Sequence, residues 1–373
     1  MKRTALFGGS FDPLTKAHLD VIEKLSGIFD EVIVMASKIS PFKTDVVAVD
    51  GHERIAMIKE CCKTLANVEV SSFEVDSPIV SYTYATVQYL KSLGKNITLV
   101  MGSDMIPSLD KWRNFDYLIA NVSFFFIQRP FFDIDYDKIA WYEKLGAKIE
   151  IADFIGEEGS SSLLKVAVAF DKQDEVVPHV VVQYVKDNGL YEDYCYITKL
   201  YERFNMKQTR IEHTYRTAKM AIILAKLHGV DVDKAIRSAL LHDIGKYVSV
   251  ETLLKSGVAV RNEAFTCPLP VQHCYTSEAI ARYIVNEKDE DVLKAILNHT
   301  TGDKNMSDLE KVIFLADYVE EGRTFEGVES VRQICYKSLD EGMKLAIKKT
   351  LSYVKSKGDN VDERTLLALA DLK

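Results

Sequence analysis

The chain has 373 residues, of which 47% are hydrophobic and 27% are charged, and its formal net charge at pH 7 is -8. Because a single hydrophobic core stops growing at about 250–300 residues, this length predicts two domains. The ordinary composition excludes a disordered chain, and the negative charge argues against a nucleic-acid-binding protein that works through a broad basic surface.

Hydropathy and cysteine usage indicate the compartment. No stretch reaches the roughly 18 apolar residues of a membrane-spanning helix. The six cysteines are scattered, apart from the adjacent Cys61 and Cys62, and none has C-x-x-C spacing, so we expect reduced and mostly packed thiols. We therefore predict a cytoplasmic protein without a membrane partner.

Short apolar runs alternate with amphipathic stretches from residue 3 to about residue 152, a pattern typical of an α/β domain with a parallel sheet covered by helices. The predicted strands are TALFGG, EVIVMAS, VEVSSF, ITLVMGS, VSFFFIQ and AKIEIA. A helix over VVVQYVKDNGLY then ends at Asn188 and Gly189. We expect the domain boundary between Leu190 and Asn205 and divide the chain into residues 1–195 and 196–373.

Beyond about residue 200 the strand pattern disappears. Apolar residues recur there at spacings of three and four, as in Met220, Ile223, Leu224 and Leu227. This spacing is that of one face of an α-helix. The second domain is therefore predicted to be all-α.

The segment GGSFDPLTKAH lies between the first predicted strand and a predicted helix. Gly8 and Gly9 are expected to turn tightly and to let a phosphate approach the backbone, and the helix N-terminus favours anions. Thr15 and His18 are three residues apart and would share one helix face. A glycine turn alone is equally typical of an ordinary strand-to-helix connection.

This segment resembles the signature motif G-x-F-D-P-x-[HT]-x-G-H of the nucleotidyltransferase superfamily, whose adenylyltransferases join ATP to a phosphate acceptor. The resemblance implies a Rossmann-like fold and an ATP site, with Mg²⁺ accompanying ATP. The residues it assigns to ATP are Gly8, Gly9, Ser10, Phe11, Asp12, Thr15 and His18. Ala17 replaces the usual glycine.

The segment GSSSLLK resembles a second signature motif of the same superfamily. Ser161 and Ser162, with Ser160, would then cap a helix at the triphosphate, although a serine cluster alone is also typical of a plain helix N-cap. Lys165 stands where arginine is common, and it keeps the charge but loses the planar fork of a guanidinium. The resemblance makes His18 and Lys165 the catalytic residues that face the developing negative charge.

The middle of this domain, MGSDMIPSLDKWRNFDYLIANVSFFFIQRP, is similar to the nicotinate mononucleotide adenylyltransferases, as are SYTYAT and the ending NGLY. The acceptor contacts implied are Thr83, Gly102, Asp104, Trp112 and Arg129. Trp112 could stack on a pyridine ring or be a core residue. Lys43 is a further candidate for a phosphate contact, with a solvated surface lysine as the alternative.

A second group of candidate site residues is an ordered set of histidines and aspartates in the all-α half. His213 is followed by the pair His242 and Asp243, then by His273 and His299, and the set is closed by Asp317. Imidazoles and carboxylates from separate helices are ligands for a divalent metal that activates water against phosphate. The pattern predicts a metal-dependent phosphohydrolase.

The same half resembles the HD-domain metal phosphohydrolases, in particular the bacterial subfamily that splits diadenosine tetraphosphate symmetrically. The matching stretches are HTYRTAKMA, LLHDIGKY, QHCYTSEAIA and LNHTTGDKNMSDLEKVIFLADYVEEGR. The resemblance implies that His213, His242, Asp243 and Asp317 hold iron, manganese or another divalent ion, with Asp243 as a catalytic residue. It implies substrate contacts by Lys246, His273, His299, Thr300 and Arg323. His273 and His299 could instead hold a second metal.

The leading hypothesis is a bifunctional enzyme with ATP, nicotinate mononucleotide and diadenosine tetraphosphate as its ligands. It would transfer AMP from ATP to nicotinate mononucleotide and hydrolyse the tetraphosphate to two ADP. Thr15 is typical of pantetheine-phosphate adenylyltransferase, so that enzyme fused to a general nucleotidase is an alternative. Another alternative is an HD module that senses a nucleotide and regulates the first domain. A homo-oligomer is compatible with the sequence.

Overall fold

The computed structural model describes residues 2–38, 49–77, 82–157, 159–358 and 360–372. The chain divides into two compact units. The first unit comprises residues 1–164 and 172–191, and the second comprises residues 165–171 and 192–373. In the part of the chain that is described, no helix is both long and apolar enough to span a membrane.

The first unit is built on a parallel sheet, as predicted. Its strands are β1 (Arg3–Gly9), β2 (Glu31–Ala36), β3 (Val68–Ser71), β4 (Asn96–Gly102), β5 (Ser123–Gln128) and β6 (Lys148–Ile155). Within the described residues they form one six-stranded sheet in the order β3-β2-β1-β4-β5-β6, and each neighbouring pair is parallel. The continuous apolar runs arise because both faces of a parallel sheet are covered.

Helices and 3-10 segments connect these strands or follow the last of them. They are α1 (Lys16–Ile28), α2 (Gly51–Cys62), α3 (Phe73–Asp76), α4 (Thr83–Ser92), the 3-10 segment Ser103–Lys111, α5 (Phe115–Asn121), α6 (Tyr136–Lys144), α7 (Ser161–Ala169), the 3-10 segment Gln173–Glu175 and α8 (His179–Asn188). Alternate strand residues enter the two cores that flank the sheet, with Phe125 on one side and Phe124 and Phe126 on the other. Gly189 ends α8 at a φ of 59°, as the sequence predicted.

The strand order places the two central strands at a topological switch point. β1 is the neighbour of β4, and the order runs outward from this pair in both directions. In doubly wound folds, ligands bind in the crevice at the carboxyl ends of such strands. The residues that follow Gly9 and Gly102 therefore share one edge of the sheet.

The second unit contains helices and no strand in its described residues, which confirms the predicted all-α fold. The helices are α9 (Cys195–Thr198), α10 (Leu200–Arg203), α11 (Gln208–Leu227), α12 (Val232–Leu241), α13 (Val250–Lys255), α14 (Gln272–Tyr283), α15 (Glu290–Asn298), α16 (Asp308–Val319), α17 (Val328–Cys335), α18 (Leu339–Lys357) and α19 (Glu363–Asp371), with 3-10 segments at Asn262–Phe265 and Leu269–Val271. Helix α16 packs against α11, α12, α15 and α18, so it lies inside the bundle.

The turn that follows α12 is fixed against α14 at Gly245. The backbone N–H of Gly245 donates to Ser277 Oγ at 2.9 Å, and Thr276 Oγ1 donates to the Gly245 carbonyl at 2.9 Å. A Cβ at position 245 would lie 2.5 Å from the backbone nitrogen of Ser277. Only glycine allows this approach, which holds the residues after α12 beside the second turn of α14.

We predict that Gly245→Ala lowers the free energy of unfolding of the second unit by about 1–3 kcal/mol or more, because a methyl group there must push against backbone. Gly27→Ala is the control, since a Cβ at Gly27 meets nothing within 4 Å. Helix propensity predicts that this control is neutral or stabilising by up to about 1 kcal/mol. Calorimetric unfolding of both variants measures the difference, and equal stabilities would contradict the packing assignment.

Candidate functional site

A cleft opens at the carboxyl edge of the sheet in the first unit. It has a cavity volume of about 440 Å³. The sequence-predicted residues that line it are Gly8, Gly9, Ser10, Thr83 and Trp112. Trp112 is partly buried and also packs against one of the two cores, so its indole is a core contact and a wall of the cleft at once.

The glycines at the end of β1 act through close approach and not through a turn conformation. Gly8 and Gly9 both belong to the strand, and neither has a positive φ. A Cβ on Gly9 would lie 3.1 Å from the ring of Phe11. The positive φ of this segment, 42°, is at Phe11, and the turn follows at residues 12–13. The expected tight turn therefore lies beyond the glycines.

Thr15 and His18 bind each other at the start of α1. Thr15 is the N-cap, its Oγ1 accepts from the His18 backbone N–H at 3.3 Å, and its own N–H donates to His18 Nδ1 at 3.1 Å. Since Nδ1 accepts this hydrogen, a neutral His18 carries its proton on Nε2. The His18 ring contacts the edge of Phe11 at a centroid distance of 5.2 Å. The capping box thus fixes both the orientation and the tautomer of the imidazole.

His18 lines a small hollow of about 20 Å³ together with Gly102 and Arg129. A Cβ on Gly102 would lie 2.2 Å from Asp104 Oδ1 and 2.7 Å from Arg129 Nε. The guanidinium and the carboxylate are themselves 3.7 Å apart. Glycine at the end of β4 therefore gives this ion pair the room to lie across the strand end.

The other predicted residues of the nucleotide site have the following contacts. Asp12 accepts a hydrogen bond from Tyr191 Oη at 2.6 Å, which ties the first motif to the NGLY ending. Ser161 and Ser162 are the first residues of α7, and Ser160 Oγ accepts from the backbone N–H of Leu163 at 3.3 Å. Lys165 Nζ donates to Asp193 at 2.8 Å, and its role toward ATP stays a prediction. Lys43 lies outside the described residues.

Glu74 and Lys111 line the cleft and were not singled out in the sequence. Thr86 Oγ1 donates to Glu74 at 2.5 Å, while burial raises the pKa of the Glu74 carboxyl. Arg113 also lines the cleft, with its guanidinium 4.6 Å from the ring centroid of Tyr82. No local motif marks Glu74, because its partner Thr86 lies in the next helix.

The second unit brings its predicted histidines and aspartates together. His213 lies on α11 and Asp317 on α16, whereas His242 and Asp243 follow the last residue of α12 and are part of a turn. We expected this pair within a helix. In the turn, the side chains of both residues extend from the end of α12 toward the centre of the bundle.

The distances within this cluster are short. His213 Nε2 lies 2.8 Å from Asp317 Oδ1. His273 Nε2 lies 3.2 Å from Asp243 Oδ1 and 3.1 Å from His299 Nε2. His242 Nε2 lies 3.4 Å from Asp243 Oδ2. The rings of His213 and His242 are in contact, with their centroids 5.6 Å apart, so the six predicted side chains form one continuous cluster.

Backbone carbonyls orient three of the imidazoles in the same way. The Nδ1 atoms of His242, His273 and His299 donate to the carbonyls of the residues three positions earlier, at 2.6, 2.8 and 2.7 Å. His213 Nδ1 instead donates to Glu320 at 3.1 Å. With the hydrogen on Nδ1, a neutral ring offers the Nε2 lone pair to the cluster, which is the usual arrangement around a metal.

The carboxylates of the cluster are held in their charged form. Burial opposes ionisation of Asp243, yet the neighbouring imidazoles of His242, His273 and His299 hold the pKa of its carboxyl well below the usual value. Burial likewise opposes ionisation of Glu320, but hydrogen bonds from His213 and Arg216 lower its pKa to about 2. The centre thus offers anionic oxygens at neutral pH.

Two atoms of the cluster provide a test of whether a metal fits. His242 Nε2 and Asp243 Oδ1 are buried and have no hydrogen-bond partner. One ligand atom each from His213, His242 and Asp317 lie within 4.8 Å of one another, and the same holds for His242, Asp243 and His299. A buried unpaired nitrogen and a buried unpaired carboxylate oxygen are costly, and a divalent cation would satisfy both. The residues fit a metal ion.

The predicted substrate contacts surround this cluster. Lys246 Nζ lies 3.0 Å from His273 Nε2 and 3.6 Å from Asp243 Oδ1. Thr300 Oγ1 lies 3.3 Å from His273 Nε2. Arg323 Nη2 donates to Asp317 Oδ1 at 2.7 Å. A basic rim beside buried carboxylates is suited to a polyphosphate.

Sequence reasoning missed three residues of this centre. Arg210 Nη1 donates to Asp243 Oδ2 at 2.7 Å, Glu320 holds His213, and Cys274 Sγ lies 3.9 Å from His273 Nε2. Arg210 stands three residues before His213 on α11, so it lies on the same helix face and could have been found from that spacing. Glu320 is 107 residues from its partner in sequence, and no local pattern indicates such a pair.

Comparison with known proteins divides the chain in the same way. The Cytidylyltransferase-like family matches residues 6–167, and the HD domain family matches residues 210–322. A Methylacidiphilum infernorum protein named "Probable nicotinate-nucleotide adenylyltransferase" is 35% identical over 195 residues, which cover 51% of this chain and 92% of that protein. A Halalkalibacterium halodurans protein named "Bis(5'-nucleosyl)-tetraphosphatase, symmetrical" is 36% identical over 165 residues, which cover 43% of this chain and 88% of that protein.

A third relative extends over both halves. The Mycoplasma genitalium protein named "Probable nicotinate-nucleotide adenylyltransferase/Ap4A hydrolase" is 28% identical over 367 residues, covering 95% of this chain and 98% of its own. The two halves of the chain therefore occur together in a known protein. The chain belongs to the nicotinate-nucleotide adenylyltransferase family in its N-terminal half and to the HD-domain symmetrical bis(5'-nucleosyl)-tetraphosphatase family in its C-terminal half.

Proposed function

We propose that this chain is a bifunctional enzyme. Residues 1–195 transfer AMP from ATP to nicotinate mononucleotide, giving deamido-NAD and pyrophosphate, and residues 196–373 hydrolyse diadenosine tetraphosphate to two ADP. The observation that carries the proposal is that one relative, named for both activities, covers 95% of this chain. The sheet-edge cleft and the buried histidine cluster support the proposal.

The transfer reaction needs alignment and charge stabilisation. The acceptor phosphate attacks the α-phosphorus of MgATP while the bond to pyrophosphate breaks, so no covalent enzyme intermediate forms. His18, fixed by its capping box, presents Nε2–H as a hydrogen-bond donor to the phosphate oxygens on which charge develops. Ser161 and Ser162, at the N-terminus of α7, are assigned to the triphosphate.

The cleft suits an anionic aromatic acceptor. Its volume of about 440 Å³ lies within the usual range of small-molecule sites. Trp112 offers a flat apolar wall, and Lys111 and Arg113 add positive charge. Thr15 does not require a pantetheine acceptor, because its hydroxyl is explained by the N-cap of α1. We therefore propose nicotinate mononucleotide as the acceptor.

In the second unit, His213, His242, Asp243 and Asp317 would hold the metal ion, for which iron and manganese fit the ligand types. When bound, a divalent ion lowers the pKa of water and polarises a phosphoryl oxygen. Glu320 keeps the His213 ring in place. Lys246 and Arg323 bind phosphate oxygens, and Arg210, beside Asp243, is a third cation for the same task.

Hydrolysis is proposed to be symmetrical. Water adds to one of the two central phosphorus atoms, the oxygen that bridges them leaves with the other half, and the proton of water passes to solvent. Two ADP result. The cations on the rim neutralise the charge that the departing phosphate gains.

We predict that His18→Ala lowers the rate of adenylyl transfer about 10²–10³-fold, because it removes a donor to the charged transition state. Hydrolysis of diadenosine tetraphosphate should keep the parent rate. His52→Ala is the matched control, since the His52 side chain is 68% exposed, and it should leave both rates unchanged. Pyrophosphate release and ADP release measure the two reactions, and a parent-like transfer rate in His18→Ala would refute the assignment.

We predict that Asp243→Ala removes bound metal and abolishes ADP formation, because it deletes the buried carboxylate around which three imidazoles lie. Adenylyl transfer should continue at the parent rate. Asp340→Ala, whose carboxylate is exposed and pairs with Lys311, should retain metal and both activities. Metal analysis of the purified chains is combined with both assays. An active, metal-loaded Asp243→Ala protein would contradict the proposed centre.

A further inference from the structure

A buried arginine lies behind the first nucleotide motif. Arg54, on α2, is 2% exposed, and its guanidinium donates to three backbone carbonyls: Nε to Val49 at 3.0 Å, Nη1 to Ser10, and Nη2 to Lys38 at 3.3 Å. Among the described residues it forms no ion pair, and it is the one arginine or lysine there that is buried. A buried charge without an anion is unfavourable, so the fold alone gives little reason for a cation at this position.

The contact with Ser10 fixes one particular peptide group. Ser10 lines the cleft at the sheet edge, and the peptide between Ser10 and Phe11 is trans. The carbonyl and the N–H of a trans peptide point in opposite directions. Because Arg54 binds the Ser10 carbonyl, the N–H of Phe11 points away from the guanidinium. Within the described residues this N–H has no hydrogen-bond partner, so it is a donor available to a ligand.

The same peptide precedes a strained residue. Phe11 is 2% exposed and has a φ of 42°, which large side chains rarely adopt. Strained residues of this kind persist only where their surroundings hold them, and they are common at ligand sites. The bond from Arg54 to the Ser10 carbonyl holds the chain at the residue immediately before the strain. The arginine, the unpaired N–H and the strained backbone therefore form one arrangement.

We propose that Arg54 is a positioning residue for adenylyl transfer, which holds the Ser10–Phe11 peptide so that the Phe11 N–H donates to a phosphate group of a bound substrate. This inference deepens the proposed function of the first unit and rests on it. A cation at the carbonyl end of a peptide polarises it and strengthens the donor at the other end. The low dielectric of the interior also makes the buried charge act strongly on a nearby anion. ATP and nicotinate mononucleotide both carry such a phosphate.

The test compares the full-length parent with Arg54→Gln, which loses the charge, and Arg54→Lys, which keeps the charge without the planar fork. Calorimetry measures the dissociation constants of two ligand pairs: MgATP with adenosine, and nicotinate mononucleotide with its riboside. For at least one pair, we expect Arg54→Gln to weaken binding of the phosphate-bearing member about 10–100-fold, because a charge-assisted contact is lost. The phosphate-free member should bind as in the parent, and Arg54→Lys should recover part of the loss.

The pair that responds identifies the substrate whose phosphate is bound. Arg3→Gln is the matched control, because Arg3 belongs to the same unit, its side chain is 46% exposed and it pairs with Glu150 at 2.7 Å. All four dissociation constants should keep their parent values in this control. Hydrolysis of diadenosine tetraphosphate should keep the parent rate in every variant, since both substitutions lie in the first unit.

Three results would count against these claims. Parent-like binding of both nucleotides by Arg54→Gln would overturn the inference. An equal loss for a nucleotide and its nucleoside would overturn it as well, since Arg54 would then only support the fold. A parent chain that binds both nucleotides but releases no pyrophosphate would overturn the proposed function of the first unit instead.

If neither Arg54 variant folds, the isotope-labelled parent decides by NMR. The Arg54 Nε–H and Phe11 amide resonances are followed while each nucleotide is added and then while each nucleoside is added. We expect both resonances to shift with a nucleotide and to stay in place with its nucleoside. An Arg54 resonance that ignores the phosphate would overturn the inference.

Discussion

The carboxylate of Asp243, 2% exposed and surrounded by imidazoles, is the constraint on which the helical unit depends. A charge buried this far destabilises a fold unless partners meet it, and here the Arg210 guanidinium donates to Oδ2 at 2.7 Å while the Lys246 ammonium lies 3.6 Å from Oδ1. These two cations come from different segments of the chain, and Gly245 permits the close approach that holds the Asp243 turn against α14. The unit therefore keeps a buried electrostatic centre that packing alone would not require, and such centres are typical of functional sites.

The two units present histidine in opposite ways. In each case a hydrogen bond at Nδ1 determines whether Nε2 carries a hydrogen or a lone pair. In the first unit, Nδ1 of His18 accepts from the backbone N–H of Thr15, so Nε2 carries the hydrogen and suits an anion. In the second unit, Nδ1 of His242 and His299 donates to a backbone carbonyl, so Nε2 offers its lone pair and suits a cation. The same side chain is thus oriented to meet an anion in the first unit and a cation in the second.

Secondary structure was predictable because hydrophobic patterns follow it directly: the six apolar runs became β1 to β6, and the period of three and four residues became the helical unit. Local motifs also led to His18 and to the histidine cluster. The partners that orient these residues were not predictable, since Glu320 reaches His213 from 107 residues away and Glu74 meets Thr86 in the next helix. The position of Cys274 was not predictable either, because only the tertiary fold brings His299 beside it.

A metal bound at the centre of the helical unit is the claim on which the hydrolytic half of the proposal depends. Crystals of the metal-loaded chain, with anomalous diffraction recorded on both sides of the absorption edge of the metal, test it most directly. The account predicts an anomalous peak in contact with Nε2 of His213, Nε2 of His242 and the carboxylates of Asp243 and Asp317. A metal-loaded chain whose peak lies away from these side chains would contradict it.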